Sequence, residues 1–159
     1  GVYTWKAARR NIGLYYPAAA ISFLKQQSFS GRIFTEYGWG GYFLWQYPEK
    51  QVFVDGRMPS WRWTAPENES DWAFRDYTDI RRSGNFHSYF AKYGIDVVLW
   101  PKKYLRSEKS IIGTWLDRLT GSAPESGLDS LPKVLTNAGW ITVYTDPVSV
   151  ILLRPSPTP

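Results

Sequence analysis

The chain has 159 residues, a net charge of +5, and 43% hydrophobic against 21% charged residues, which describes one folded domain with a real core and excludes a disordered polymer. It contains no cysteine, so disulfides, thiolate catalysis and cysteine-based zinc sites are excluded together. Mean hydropathy is −0.37, and no apolar run approaches the roughly 18 residues that a membrane-crossing helix needs.

The first expected helix opens at Tyr16-Pro17, because proline is tolerated in a first turn, and runs through Ala18–Gln27 with Ile21 and Leu24 toward the core. Gly31–Glu36 follows as a short strand, then Gly38–Tyr47 as an aromatic helix stopped by Pro48. Gln51–Asp55 (QVFVD) is apolar and β-branched, the composition of a buried strand. Gly56–Asn68, rich in Pro and Trp, is expected as a loop. Ser70 is placed to cap a helix over Asp71–Arg82, with Asp71 at its positive end and Gly84 as its break. Asn85–Tyr93 is a further helix stopped by Gly94, and Ile95–Trp100 (IDVVLW) is the clearest strand. Lys109–Leu119 has an amphipathic helical pattern, Gly121–Gly127 is a loop, and Leu131–Asn137 is a short helix with Gly139 at C′. Trp140–Tyr144 and Val148–Leu153 flank Asp146-Pro147 as a hairpin, before a terminal PSPTP that has little to pack. Alternating helices and strands predict an α/β domain: a mixed sheet of about four to five strands, flanking helices and a C-terminal β-hairpin.

Chemical motifs are few. His87 is the single histidine and sits in a helical pattern without a G-x-S-x-G nucleophile elbow, which favours a surface or packing role. No histidine or carboxylate cluster has ligand spacing, so neither a metal nor a cofactor is expected. The block Gly31–Arg57 is the most informative stretch. Gly38, Gly40 and Gly41 follow a strand and open a helix, as in a phosphate loop, yet Phe43 stands where G-x-G-x-x-G needs its third glycine. Glu36 and Asp55 end the two strands of this block. In parallel neighbours both would lie at carboxyl ends, where open α/β sheets place ligands, as a glycosidase-like pair or a divalent-cation site. The alternative is structural: Asp55 paired with Arg57 or capping a turn, and Glu36 capping the helix after it. Asn68-Glu69-Ser70 fits the glycosylation acceptor pattern.

Aromatic residues make up 18% of the chain, including 9 Trp and 11 Tyr, an excess typical of sugar-binding surfaces, protein interfaces and membrane boundaries, or of an aromatic core. The basic residues pair only at Arg9-Arg10, Arg81-Arg82 and Lys102-Lys103. That falls short of a nucleic-acid stripe, so nucleic acid is not an expected partner, while anionic lipid headgroups stay open.

The order G-R-x-F-x-E-Y-x-W-G-G-Y-x-x-W, V-F-V-D-G-R, Y-G-I-D-V-V-L and G-W-x-x-V-Y-x-D, over Gly31–Arg57, Tyr93–Leu99 and Gly139–Asp146, carries a resemblance spanning roughly Tyr16–Arg154. It resembles the extracytoplasmic C-terminal domain of polytopic bacterial membrane glycosyltransferase-like proteins, similar in plan to the oligosaccharyltransferase catalytic subunit and the protein mannosyltransferases. Glu36-Tyr37-Gly38 stands where the oligosaccharyltransferase family has D-Y-G, with Phe34 and Thr35 in place of its two tryptophans, and sequon recognition is not among the expectations. The resemblance implies residues 1–14 as a linker toward an upstream membrane region and 15–154 as a single α/β domain, while the composition of 155–159 implies a disordered tail. It further implies a non-catalytic domain on the extracytoplasmic face, giving acceptor recognition or structural capping to a membrane glycosyltransferase. Its binding surface would use Glu36, Tyr37, Gly38, Trp39, Asp55 and Arg57, with the upstream transmembrane region and a glycan or acceptor as partners. Two alternatives remain at this point: a free-standing carbohydrate-binding module using Trp61, Trp63 and Trp72, and a small hydrolase using Glu36 and Asp55.

Overall fold

The computed structural model describes residues 15–56, 69–83, 85–102 and 131–155. The expected helix over Lys109–Leu119, the loop Gly121–Gly127, most of the loop Gly56–Asn68 and the stretch 1–14 lie outside the described residues.

Helix α1 spans Ala18–Gln26, with Pro17 at its N-cap position and the Pro17 carbonyl accepting from the Ile21 amide at 2.9 Å. Ala20, Ile21 and Leu24 are its buried residues, a spacing that puts one stripe against the sheet. Strand β1 (Arg32–Thr35) leads directly into α2 (Tyr37–Gln46). Helix α3 covers Glu69–Ser83 and α4 covers His87–Tyr93. Gly94 adopts φ 61° and ψ 44°, a left-handed cap that any Cβ would strain, and so lets β2 (Ile95–Pro101) begin at the next residue. Helix α5 (Leu131–Asn137) precedes the hairpin of β3 (Ile141–Thr145) and β4 (Ser149–Leu153). Asp146 fixes that turn: its carboxylate accepts from the amides of Val148 and Ser149 at 2.8 and 2.6 Å.

The four strands form one mixed sheet in the order β1-β2-β4-β3, with β1 parallel to β2 and the remaining pairs antiparallel. This is the α/β class expected from the sequence, closing hairpin included. Both faces of the sheet are covered. Ile33, Val97, Leu99 and Ile151 pack with Ala20, Ile21, Leu24, Trp39 and Phe43 from α1 and α2. Phe34, Val98, Trp100, Val150 and Leu152 pack with Tyr77, Ile80, Phe90, Leu131 and Leu135 from α3, α4 and α5, and with Phe86 just before α4. A register shift between Arg32 and Ile33, opposite Ile95 and Val97, resets the alternation of β2. Ile95 therefore joins Val98 and Trp100 on one face while Val97 and Leu99 take the other. Among the described residues no helix is long and apolar enough to cross a membrane.

Two expectations need correction. Gln51–Asp55 is not a strand: Val52 makes a single parallel bridge to Ile33, and the chain then leaves the sheet. Phe53, Val54 and Asp55 are buried in succession, and both Phe53 and Val54 join the cluster on the α3 side. A pleated strand would send neighbours to opposite faces, so packing, not the β-ladder, holds this segment. Ser70 is not an N-cap, because α3 already begins at Glu69.

Candidate functional site

The GWGG sequence is explained by one close approach. A Cβ on Gly40 would fall 2.4 Å from the Val54 carbonyl oxygen and 2.8 Å from the Asp55 Cα, backbone atoms with nowhere to go. Helix α2 therefore rests bare on the Val54-Asp55 backbone, and the glycine-aromatic and V-D-G blocks form one unit at the carboxyl end of β1. The neighbouring Gly41 faces open space.

Glu36 occupies the N-cap position of α2 with φ −58° and ψ 138°, but its side chain makes no capping hydrogen bond. The cap comes from elsewhere: the Tyr37 amide donates to the hydroxyl of Tyr77, on α3, at 3.0 Å. Tyr77 thus satisfies one of the orphan amides of a helix start from 40 positions away. Glu36 is half-buried, and its carboxylate lies against Gly38, where a Cβ would meet Oε2 at 3.0 Å. Just before it, the hydroxyl of Thr35 is buried without a hydrogen-bond partner.

The rings beside these carboxylates belong to the core. Tyr37 packs toward Phe74 and Tyr77, with ring centroids 5.5 and 6.3 Å away. Trp39 is buried on the opposite side of the sheet, its indole N–H donating to the Tyr15 carbonyl at 3.0 Å. Asp55 is 3% exposed beneath Gly40. The structure thus brings Glu36, Gly38 and Asp55 to one end of α2, but divides Tyr37 and Trp39 between the two core layers. Arg57 lies outside the described residues, as do Trp61 and Trp63.

Glu36 and Asp55 meet α2 at different positions, Glu36 through its carboxylate and Asp55 through its Cα and Cβ. Glu36 sits against position 38 and Asp55 against position 40, and residues two apart point about 200° apart around a helix. A glycosidase pair needs its carboxyl groups across one substrate.

Away from this block, Asp76 is 4% exposed and accepts from the Lys92 ammonium at 2.8 Å and the Tyr93 hydroxyl at 2.7 Å, tying α3 to α4. Burial first, and the hydrogen bond to Asp76 second, push the Tyr93 phenol up from its ordinary 10.0. The same carboxylate raises Lys92 by hydrogen bonding. His87 is exposed, its ring tilted by 31° against that of Phe86 with centroids 4.1 Å apart. It borders a groove of about 240 Å³ with Phe90, Trp140 and Arg154. Arg154 lies 5.5 Å over the Trp140 ring and 3.3 Å from Asp96. No local sequence signal marks Tyr77, Asp76 or Arg154 for these roles, since each partner lies on a different element. Among the described residues no group of three or more His, Asp or Glu side chains is placed to hold a metal ion.

No protein-family model, curated protein or solved structure matches this chain.

Proposed function

We propose that this chain is a non-catalytic domain on the extracytoplasmic face of a membrane glycosyltransferase, contributing acceptor recognition or structural capping. The observation that carries the reading is the seating of α2 on Val54-Asp55 through Gly40. It joins the two most distinctive parts of the resemblance, E-Y-G-W-G-G and V-F-V-D-G-R, into one rigid unit at a strand's carboxyl end, a usual place for ligand contacts in α/β folds. Glu36 is the half-exposed carboxylate of that unit, able to accept hydrogen bonds from sugar hydroxyls or an acceptor's amides. The separate approaches of Glu36 and Asp55 to α2 favour recognition over a paired acid and base.

The natural open reading frame and a transfer assay on the full-length protein test this reading. A polytopic hydrophobic region upstream of Gly1 is expected. In that protein Glu36→Ala should raise the KM for acceptor by about tenfold while kcat changes by less than about twofold, the signature of lost uniform binding. An upstream sequence without several membrane-spanning segments overturns the proposal.

A further inference from the structure

Two cationic side chains meet at the opposite end of the sheet from Glu36. His87 opens α4, Arg154 follows the last residue of β4, and both border the groove of about 240 Å³. Phe86, Phe90 and Trp140 line its floor and are buried, with Trp140 meeting Phe90 edge-on at 5.6 Å. The groove therefore rests on packed core, and what it offers a ligand is polar.

Among the described residues that line it, only His87 and Arg154 ionise, and no carboxylate joins them. Arg154 is held by three contacts. Its amide donates to the Asp96 carbonyl at 2.9 Å, its guanidinium lies over the Trp140 ring, and its Nε faces the Asp96 carboxylate at 3.3 Å. Asp96 lines a separate groove of about 280 Å³ with Phe29 and Ser30, and its carboxylate fills the space that a Cβ on Gly31 would need. The ion pair thus engages the Nε edge of Arg154. Its terminal nitrogens, and both nitrogens of the exposed His87 ring, make no hydrogen bond among the described residues. A guanidinium fork presents two parallel N–H donors matched to two oxygens of a carboxylate or a phosphate, and an imidazole adds a third donor. A carboxylate has only two oxygens to give, whereas a phosphate group keeps a third for the imidazole. The volume lies below the roughly 300–1,000 Å³ of sites for drug-sized ligands, which suits a phosphate with a short substituent.

We propose that the groove between the start of α4 and the end of β4 binds a small phosphate-bearing ligand, its oxyanion held by Arg154 and His87. The inference does not rest on the glycosyltransferase reading, whose residues lie at the other end of the sheet. Phosphate binding by a chain with no polytopic region upstream would keep this site and lose that reading.

Because the chain has a single histidine, one imidazole Cε1–H resonance reports on the groove. Proton NMR titrations at fixed pH and ionic strength with inorganic phosphate, glycerol 3-phosphate and acetate test the proposal. Both phosphates should shift that resonance saturably with a Kd of about 1 mM or tighter, and acetate should bind at least about tenfold more weakly. Arg154→Gln should weaken phosphate binding by about tenfold. Arg154→Lys keeps the charge and the stem over Trp140 but not the fork, so it should fold like the parent and still bind several-fold more weakly. Lys133→Gln, which removes an exposed cation of α5, should bind as the parent does. Tighter binding of glycerol 3-phosphate than of inorganic phosphate assigns an esterified ligand to the groove, and equal binding assigns the phosphate group alone. Absence of saturation by about 50 mM phosphate overturns the proposal, as does an equal response to acetate. Parental affinity in Arg154→Lys also overturns it, and so does an equal loss in Lys133→Gln, which would mark diffuse charge attraction.

Discussion

Gly40 and Gly41 are adjacent in sequence and opposite in consequence. At position 40 an added methyl strikes the Val54 carbonyl and the Asp55 backbone, so α2 must lift from its seat. At position 41 the methyl meets nothing within 4 Å, and only the helix preference for alanine remains. Gly40→Ala should therefore destabilise the protein by about 1–3 kcal/mol, the usual cost of forcing atoms into a filled core. Gly41→Ala should stabilise it by up to about 1 kcal/mol. Urea unfolding of the two variants checks both signs, and equal effects would mean that α2 does not rest on Val54-Asp55. The glycine cluster was legible in the sequence as a place of special geometry. Which glycine mattered was not, because the atoms it avoids lie 14 and 15 positions further along the chain.

Between elements, the clearest bond is the clamp of α3 on α4 through Asp76, Lys92 and Tyr93. Its pH dependence follows from the neutral phenol. Tyr93 is held above its ordinary 10.0 in the folded protein, so folding favours the protonated form. That contribution is fully present below pH 10 and is lost as pH rises through the folded value. Lys92, raised from 10.5 by its hydrogen bond to Asp76, acts in the same sense, since its charged form is the one the fold favours. Unfolding free energy should thus be level between about pH 8 and 9.5 and fall above pH 10. The fall should be shallower in Tyr93→Phe, as denaturant titrations at pH 9 and pH 11 would show. A variant that loses stability with pH as steeply as the parent would remove Tyr93 from this account. Both α3 and α4 were expected from capping and breaker residues, and Gly94 stops α4 where the sequence places it. Their mutual clamp was not legible, because no periodicity encodes which residues of two helices meet.

For the molecule as a whole, aromatic residues build both core layers among the described residues, most densely on the α3 side of the sheet. Phe34 lies at its centre, with the rings of Phe53, Tyr77, Phe90 and Trp100 all within 5.9 Å. Phe34→Ala should cost about 3–5 kcal/mol. That is a large part of the 5–15 kcal/mol that holds a domain of ordinary stability. A melting temperature lowered by at least about 10 °C is expected, and calorimetry checks it. A shift of only a few degrees would mean that the ring cluster is not the centre of the core.

The sequence by itself determined the elements and their class. Apolar period, Pro17 and the stopping glycines mark α1, α4 and α5, and β-branched runs mark β2 and the hairpin, because these signals act between residues close in the chain. It also isolated Gly31–Arg57 as unusual. Only the tertiary structure decided that QVFVD leaves the sheet after one bridge, that Tyr77 rather than Glu36 caps α2, and that Tyr37 and Trp39 face opposite core layers. Each of those outcomes depends on atoms brought together from distant positions. Burial and close packing choose among conformations that local preference leaves nearly equal in energy.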